Sequence, residues 1–141
     1  MAELATGHLK GVTNGAALVL GSGLGGGIII NGKLFQGSHF QAGELTFLLP
    51  LQMEKLDPSL MQGTTLSAIG LITKVNEILA RLDLKDGLLA FKAINAKKEA
   101  VYPIFETYCR NLAITILNLQ TIFDMETFVL GGGISAQSIL I

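Results

Sequence analysis

The fold turns on one stretch: Ala17-Leu18-Val19-Leu20-Gly21-Ser22-Gly23-Leu24-Gly25-Gly26-Gly27-Ile28-Ile29-Ile30-Asn31-Gly32-Lys33-Leu34-Phe35-Gln36. Residues 16–20 form a short apolar run bounded by glycines, the pattern of a buried strand. Ile28, Ile29 and Ile30 are β-branched and make a second strand. Asn31-Gly32 is the strongest short hairpin signal, because a two-residue type I′ turn needs positive φ at both positions. Residues 33–36 then return. The stretch predicts an antiparallel hairpin sheet.

Glycines as dense as those at 21–27 let the backbone adopt positive φ and turn several N–H groups toward one point, a nest that holds phosphate oxygens. The same letters satisfy the GxGxxG pattern of dinucleotide-binding folds. That fold needs a helix directly after the glycines, with the pyrophosphate on its N-terminus. Here three isoleucines and an Asn-Gly turn follow, so the dinucleotide reading fails, although Glu44 stands near the distance of a ribose-binding acid. Spacing alone leaves a second reading open, in which the glycines serve only a tightly stacked hairpin.

Working outward, the glycines are unevenly spread. Eleven of the 17 fall between Gly7 and Gly43 and three more at Gly131, Gly132 and Gly133, so the chain reads as a β segment, a helical middle and a last strand ending in glycines. From Ser67, apolar residues at Ala68, Leu71, Ile72, Val75, Ile78, Leu79 and Leu82 repeat with helical period. Asp86 is placed to cap a shorter helix through Leu89, Phe91 and Ile94. The longest helix is expected at residues 99–123, with Pro103 near enough to its start to be tolerated. It carries Val101, Phe105, Tyr108, Leu112, Ile116, Leu119 and Phe123 on one face, with Tyr102, Cys109, Ala113 and Leu117 beside them. A strand is expected at residues 127–130, and Ser135 is expected to start a helix.

Composition narrows the class. A chain of 141 residues is one domain long, 50% hydrophobic and 15% charged, with net charge −1. Lys and Arg are scattered, which gives no footprint for nucleic acid or an anionic membrane. The single Cys109 excludes an internal disulfide and suits a reducing compartment. Its place on an apolar helical face marks a structural thiol rather than a nucleophile. Thr115, Asn118 and Gln120 interrupt the apolar run at 112–123, which is too short to span a bilayer, and the first residues lack the pattern of a signal peptide. A cytoplasmic protein is the expectation.

The run from Ala17 to Glu44, closed by Ala42-Gly43-Glu44, resembles the signature of the ROK family (repressors, open reading frames and sugar kinases). Asn118-Leu119, Ile122-Phe123-Asp124 and Phe128-Val129-Leu130-Gly131-Gly132-Gly133-Ile134-Ser135 resemble that family's second nucleotide motif, and Phe91-Lys92-Ala93-Ile94-Asn95 also fits. The resemblance implies an α/β fold of the actin-like, Hsp70-like ATPase type (ribonuclease H-like), with residues 1–141 forming a single partial domain, the C-terminal lobe. It implies ATP and Mg²⁺ in the complete protein, and a sugar hydroxyl as acceptor. Gly21, Ser22, Gly23 and Gly25 would match the loop gripping the β- and γ-phosphates. Gly131, Gly132 and Gly133 would match the turn against the adenosine. Glu44 would match a carboxylate that accepts sugar hydroxyls, and two such bonds can distinguish epimers. His39 falls where relatives place a residue near the sugar.

Two departures from the family pattern follow. Its catalytic base is an aspartate in an Asn-Asp motif, whereas Asp57, Asp83, Asp86 and Asp124 here lack that context. No catalytic residue is therefore assigned, and the chain alone is expected to be inactive, since phosphoryl transfer needs a base and a metal. Many relatives also carry a His and a cysteine cluster that bind zinc. Phe47 stands at the His position and residues 48–62 hold no Cys or His, so neither zinc nor another metal site is expected. Three readings compete: part of a hexose or N-acetylmannosamine kinase, the sugar-sensing part of a ROK repressor, and a degenerate remnant. The absent cysteine cluster favours the kinase. Association into a homo-oligomer is expected through the helices at 71–82 and 102–117.

Overall fold

The computed structural model describes residues 6–49, 55 and 57–140. A four-stranded sheet has the order β3-β2-β1-β4, built from β1 (Gly15–Leu20), β2 (Leu24–Ile30), β3 (Lys33–Phe35) and β4 (Thr127–Gly132). β1, β2 and β3 form an antiparallel meander, whereas β4 joins β1 in parallel. A parallel neighbour needs a crossover, and the helices supply it: α1 (Gln62–Thr65), α2 (Ala68–Ile78), α3 (Gly87–Asn95) and α4 (Tyr102–Phe123). Short 3₁₀ turns occupy Leu45–Phe47, Pro58–Leu60 and Ser138–Leu140.

The hairpin expected from Asn31-Gly32 is present, with φ of 52° and 70° at the two residues as a type I′ turn requires. Strand alternation decides which face is covered. Ala16, Leu18 and Leu20 on β1, with Leu24 and Ile28 on β2, are buried in one cluster with Phe105, Tyr108, Leu112 and Leu119 of α4. Complete burial of a leucine of this kind stabilises by roughly 1.5–3 kcal/mol. On the opposite face Val19 stays 47% exposed, and Leu9 and Ile29 are buried apart from the main cluster. Among the described residues the helical core thus lies against one face of the sheet.

Helix boundaries follow their caps. Ser67 Oγ accepts the Gly70 N–H at 2.9 Å, and Asp86 Oδ1 accepts the Leu89 N–H at 2.9 Å. α4 begins at Tyr102 rather than residue 99, with Pro103 in its first turn. There the missing proline N–H would have had no intrahelical partner anyway. α2 stops at Ile78 because Ala80 turns left-handed (φ 51°). Leu82 therefore leaves the helical stripe and is fully exposed. Ser135 does not start a helix: it closes a turn by bonding Gly132 O through both its N–H (3.2 Å) and its Oγ (2.9 Å). No helix among the described residues is long and apolar enough to cross a membrane.

Candidate functional site

The two glycine clusters, about a hundred residues apart in sequence, end side by side. β1 terminates at Leu20 and passes into Gly21-Ser22-Gly23, while β4 terminates at Gly132, the register partner of Leu20. Gly131 in turn pairs with Val19, which faces Gly25 on its other side. A single edge of the sheet therefore carries Gly21, Ser22, Gly23, Gly25, Gly131, Gly132 and Gly133. A shallow cleft of about 280 Å³ opens there, lined by Val19, Gly21, Ser22, Gly23, Gly25 and Thr46 among others.

The hairpin glycines work differently from the sequence expectation. None of Gly21, Gly23, Gly25, Gly26 or Gly27 has positive φ, and the loop proper is only residues 21–23 because β2 already begins at Leu24. What Gly26 supplies is room. A Cβ there would collide with the Gly43 carbonyl oxygen and come within 2.6 Å of Leu45 Cγ. A Cβ on Gly23 would lie 3.3 Å from Gly63 O, whereas one on Gly21 meets nothing within 4 Å. Positive φ is instead found at Gly43 (88°) and Gly132 (101°).

The hairpin is clasped from the core side. Gly21 O accepts the N–H of Ala68 at 2.8 Å, so the first turn of α2 sits against the loop. Leu24 O accepts the hydroxyl of Thr46 at 2.8 Å, and Gly21 N–H bonds Gly23 O at 3.0 Å. The N–H groups of Ser22 and Gly23 have no acceptor among the described residues.

Glu44 and His39 belong to one loop, closed where Ala42 N–H reaches Gln36 O at 3.2 Å. Both side chains are exposed, and neither lines the cleft. The loop is nevertheless fixed to the hairpin, because Gly43 and Leu45 rest directly on Gly26 of β2. Thr46, two residues past Glu44, reaches the cleft itself; sequence reading passed over it because a lone threonine carries no pattern.

Every aspartate is committed elsewhere. Asp57 Oδ1 accepts from Ser59 N–H and Oγ at 2.8 and 2.7 Å, which holds its carboxyl below the usual range. Asp83 accepts from Lys85 N–H, Asp86 from Leu89 N–H and Asp124 from Gln120 Nε2. None lines the cleft. Among the described residues no three His, Cys, Asp or Glu come together as metal ligands. Part of the segment at 48–62 lies outside the described residues. A larger groove of about 520 Å³ between α2 and α4, lined by Ser67, Gly70, Lys74, Thr107 and Asn111 among others, includes neither glycine cluster.

The ROK family profile matches residues 1–141, the whole chain. The chain belongs to the ROK family. A β-glucoside kinase of Klebsiella pneumoniae is 29% identical over 137 residues, which cover 95% of this ROK chain and 46% of the relative. A ROK family glucokinase from Streptomyces griseus, solved in complex with glucose and AMPPNP, superposes with a TM-score of 0.74 at 25% identity, covering 99% of this chain and 50% of that one. A ROK family transcriptional regulator, homologous to the E. coli MLC protein, superposes with a TM-score of 0.71 at 26% identity, covering 99% of this chain and 38% of that one. The architecture is accordingly that of an actin-like ATPase lobe. The chain spans about half the length of the curated relatives it matches.

Proposed function

We propose that this ROK chain carries the phosphate-gripping and sugar-facing part of an ATP-dependent sugar kinase. The observation that supports this most is the pairing of Leu20 with Gly132, which sets both glycine clusters on one edge of the sheet. In this reading the unpartnered N–H groups of Ser22 and Gly23 receive β- and γ-phosphate oxygens, as preorganised donors stabilise a transferring phosphoryl group. Gly131, Gly132 and Gly133 present side-chain-free backbone to the adenosine. Glu44, whose carboxylate makes no hydrogen bond among the described residues, accepts sugar hydroxyls from the loop fixed behind the hairpin, with His39 on the same loop.

The chain's own aspartates are all engaged away from the cleft, so it is expected to transfer no phosphate to glucose, mannose or N-acetylmannosamine when assayed alone. Nucleotide binding is the direct test. A partial site orders the ligand without the contacts of a complete one, so a Kd on the order of 1 mM or weaker is expected in an ATP titration followed by amide NMR. Shifts should be confined to residues near 21–25 and 131–133. Gly21→Val should abolish them, because Gly21 lines the cleft, and at little cost in stability, because a Cβ there meets nothing within 4 Å. An absence of shifts at every ATP concentration would leave the glycines serving the hairpin alone.

The likeness to the regulator supports a second reading, in which the same lobe senses a sugar and transfers nothing. Glucose-induced shifts near Glu44, with none from ATP, would favour it.

A further inference from the structure

We infer that Thr46 is a positioning residue that ties the glycine hairpin to the Glu44 turn, so that the phosphate-facing and sugar-facing loops move as one unit. The inference rests on the proposal that residues 21–25 face phosphate.

Three contacts fix the side chain. Thr46 Oγ1 donates to Leu24 O at 2.8 Å across 22 residues of sequence. Behind it stands Gly63, whose backbone approaches so closely that a Cβ there would lie 2.7 Å from Thr46 Cγ2 and 3.0 Å from Oγ1. In front, a Cβ on Gly23 would be 3.6 Å from the same oxygen. A β-branched side chain has few χ1 rotamers, and one walled in on these sides keeps a single rotamer. Its hydroxyl owns one hydrogen. That hydrogen is spent on Leu24 O, so the group lines the cleft without being able to donate to a phosphate.

Its effect therefore passes through the backbone. Leu24 O marks the point where the loop becomes β2, and its carbonyl is held by the turn Leu45–Phe47. Glu44 caps that turn through its carbonyl, which accepts Phe47 N–H at 3.2 Å. The contact of Gly43 and Leu45 with Gly26 makes a second, apolar tie two residues further along β2. Displacing Glu44 thus pulls on both Leu24 and Gly26, which bracket Gly25.

Thr46→Val keeps the shape and removes the hydrogen bond; Thr46→Ser keeps the hydrogen bond. Amide hydrogen exchange and ATP titration are read on both. Loss of one net hydrogen bond corresponds to about fivefold in an equilibrium, so in Thr46→Val exchange at the first β2 amides, Leu24 and Gly25, which pair with β1, should quicken by roughly that factor while residues 131–133 stay unchanged. The ATP Kd should weaken by a similar factor, and Thr46→Ser should restore both. Gly63→Ala, which pushes on Thr46 from behind while leaving its hydroxyl, should disturb the same amides and serves if Thr46→Val does not fold. Unchanged exchange at Leu24 and Gly25 in Thr46→Val, or a serine variant no better than valine, overturns the inference. If the unmodified chain never responds to ATP, the nucleotide reading fails on its own, while exchange still decides the link between the loops.

Discussion

Gly132 sits directly beside Leu20 in the parallel pairing of β1 and β4, so close that a Cβ on Gly132 would collide with the Leu20 carbonyl oxygen. Its φ of 101° is also closed to side-chain-bearing residues. Both constraints act where β4 leaves the sheet and the second glycine cluster begins. Gly133, one residue on, has nothing within 4 Å of a built Cβ and no positive φ.

Gly132→Ala should therefore destabilise the chain by about 2–4 kcal/mol, combining dihedral strain with overpacking. Gly133→Ala should lie within about 0.5 kcal/mol of the parent. Urea unfolding midpoints of the two variants check this contrast, and equal midpoints would refute the assigned geometry.

Asn76 is expected to be the most sensitive polar residue of the helical layer. It is fully buried on α2. Its Nδ2 donates to Leu84 O at 3.2 Å and Asp86 O at 3.0 Å, and its Oδ1 accepts from Arg81 Nη1 at 3.1 Å. The side chain thereby folds the loop between α2 and α3 back onto α2. Asn76→Ala leaves the Leu84 carbonyl without a donor and takes one of two from Asp86 O, which keeps the Ala90 N–H, and should cost about 1–3 kcal/mol. Asn76→Asp should cost more, because it sets a carboxylate oxygen against those carbonyls. Chemical denaturation of both variants measures the order.

The hairpin was legible because Asn31-Gly32 and the isoleucines before it admit few alternatives, and α3 because Asp86 is a strong capping signal. Asn76 was not, since an asparagine within a helical period looks like a solvent-facing position until the loop it holds is seen. The joining of Gly21 to Gly132 through β1 and β4 followed from family resemblance rather than from any local pattern, as parallel pairing across a hundred residues leaves no local trace. The reason for the hairpin glycines was misread for a similar cause. Sequence suggests positive φ wherever glycines cluster, whereas Gly26 is needed for the approach of Gly43 and Leu45, which only tertiary structure displays.

Stability should fall at alkaline pH through Tyr108. Its hydroxyl donates to Leu66 O at 3.0 Å inside the core, and burial, with a smaller contribution from Cys109, pushes its pKa up. A phenol whose folded pKa is raised contributes stability that is complete below the unfolded value of about 10 and is lost as pH rises above it. The unfolded chain ionises first and gains from doing so. Tyr108→Phe should lose about 1 kcal/mol at neutral pH for the missing hydrogen bond, yet show a shallower decline above pH 10. Thermal melts of both proteins across that range test the sign; parallel declines would contradict it.

Self-association should use the outer face of α4, one of the two helices expected to carry it, rather than the buried faces of α2 and α4. Leu71 and Val75 of α2, with Tyr108 and Leu112 of α4, are consumed by the chain's own core. What α4 leaves outward is Ile114 (46% exposed), Leu117 (64%) and Ile122 (70%). Ile114 lies three residues before Leu117 and eight before Ile122, between them on a broad outer side, since Leu117 and Ile122 are themselves about 140° apart. Exposed apolar side chains of this kind can find a partner, and two copies of one helix face can cover each other about a two-fold axis. Sedimentation velocity over a range of concentrations should show a monomer–dimer equilibrium. Leu117→Glu, placing a charge on that outer side, should weaken it by about tenfold or more, whereas Leu82→Glu, outside α4, should leave it unchanged. A monomer at all concentrations, or equal weakening by both substitutions, would show that this face is simply solvated.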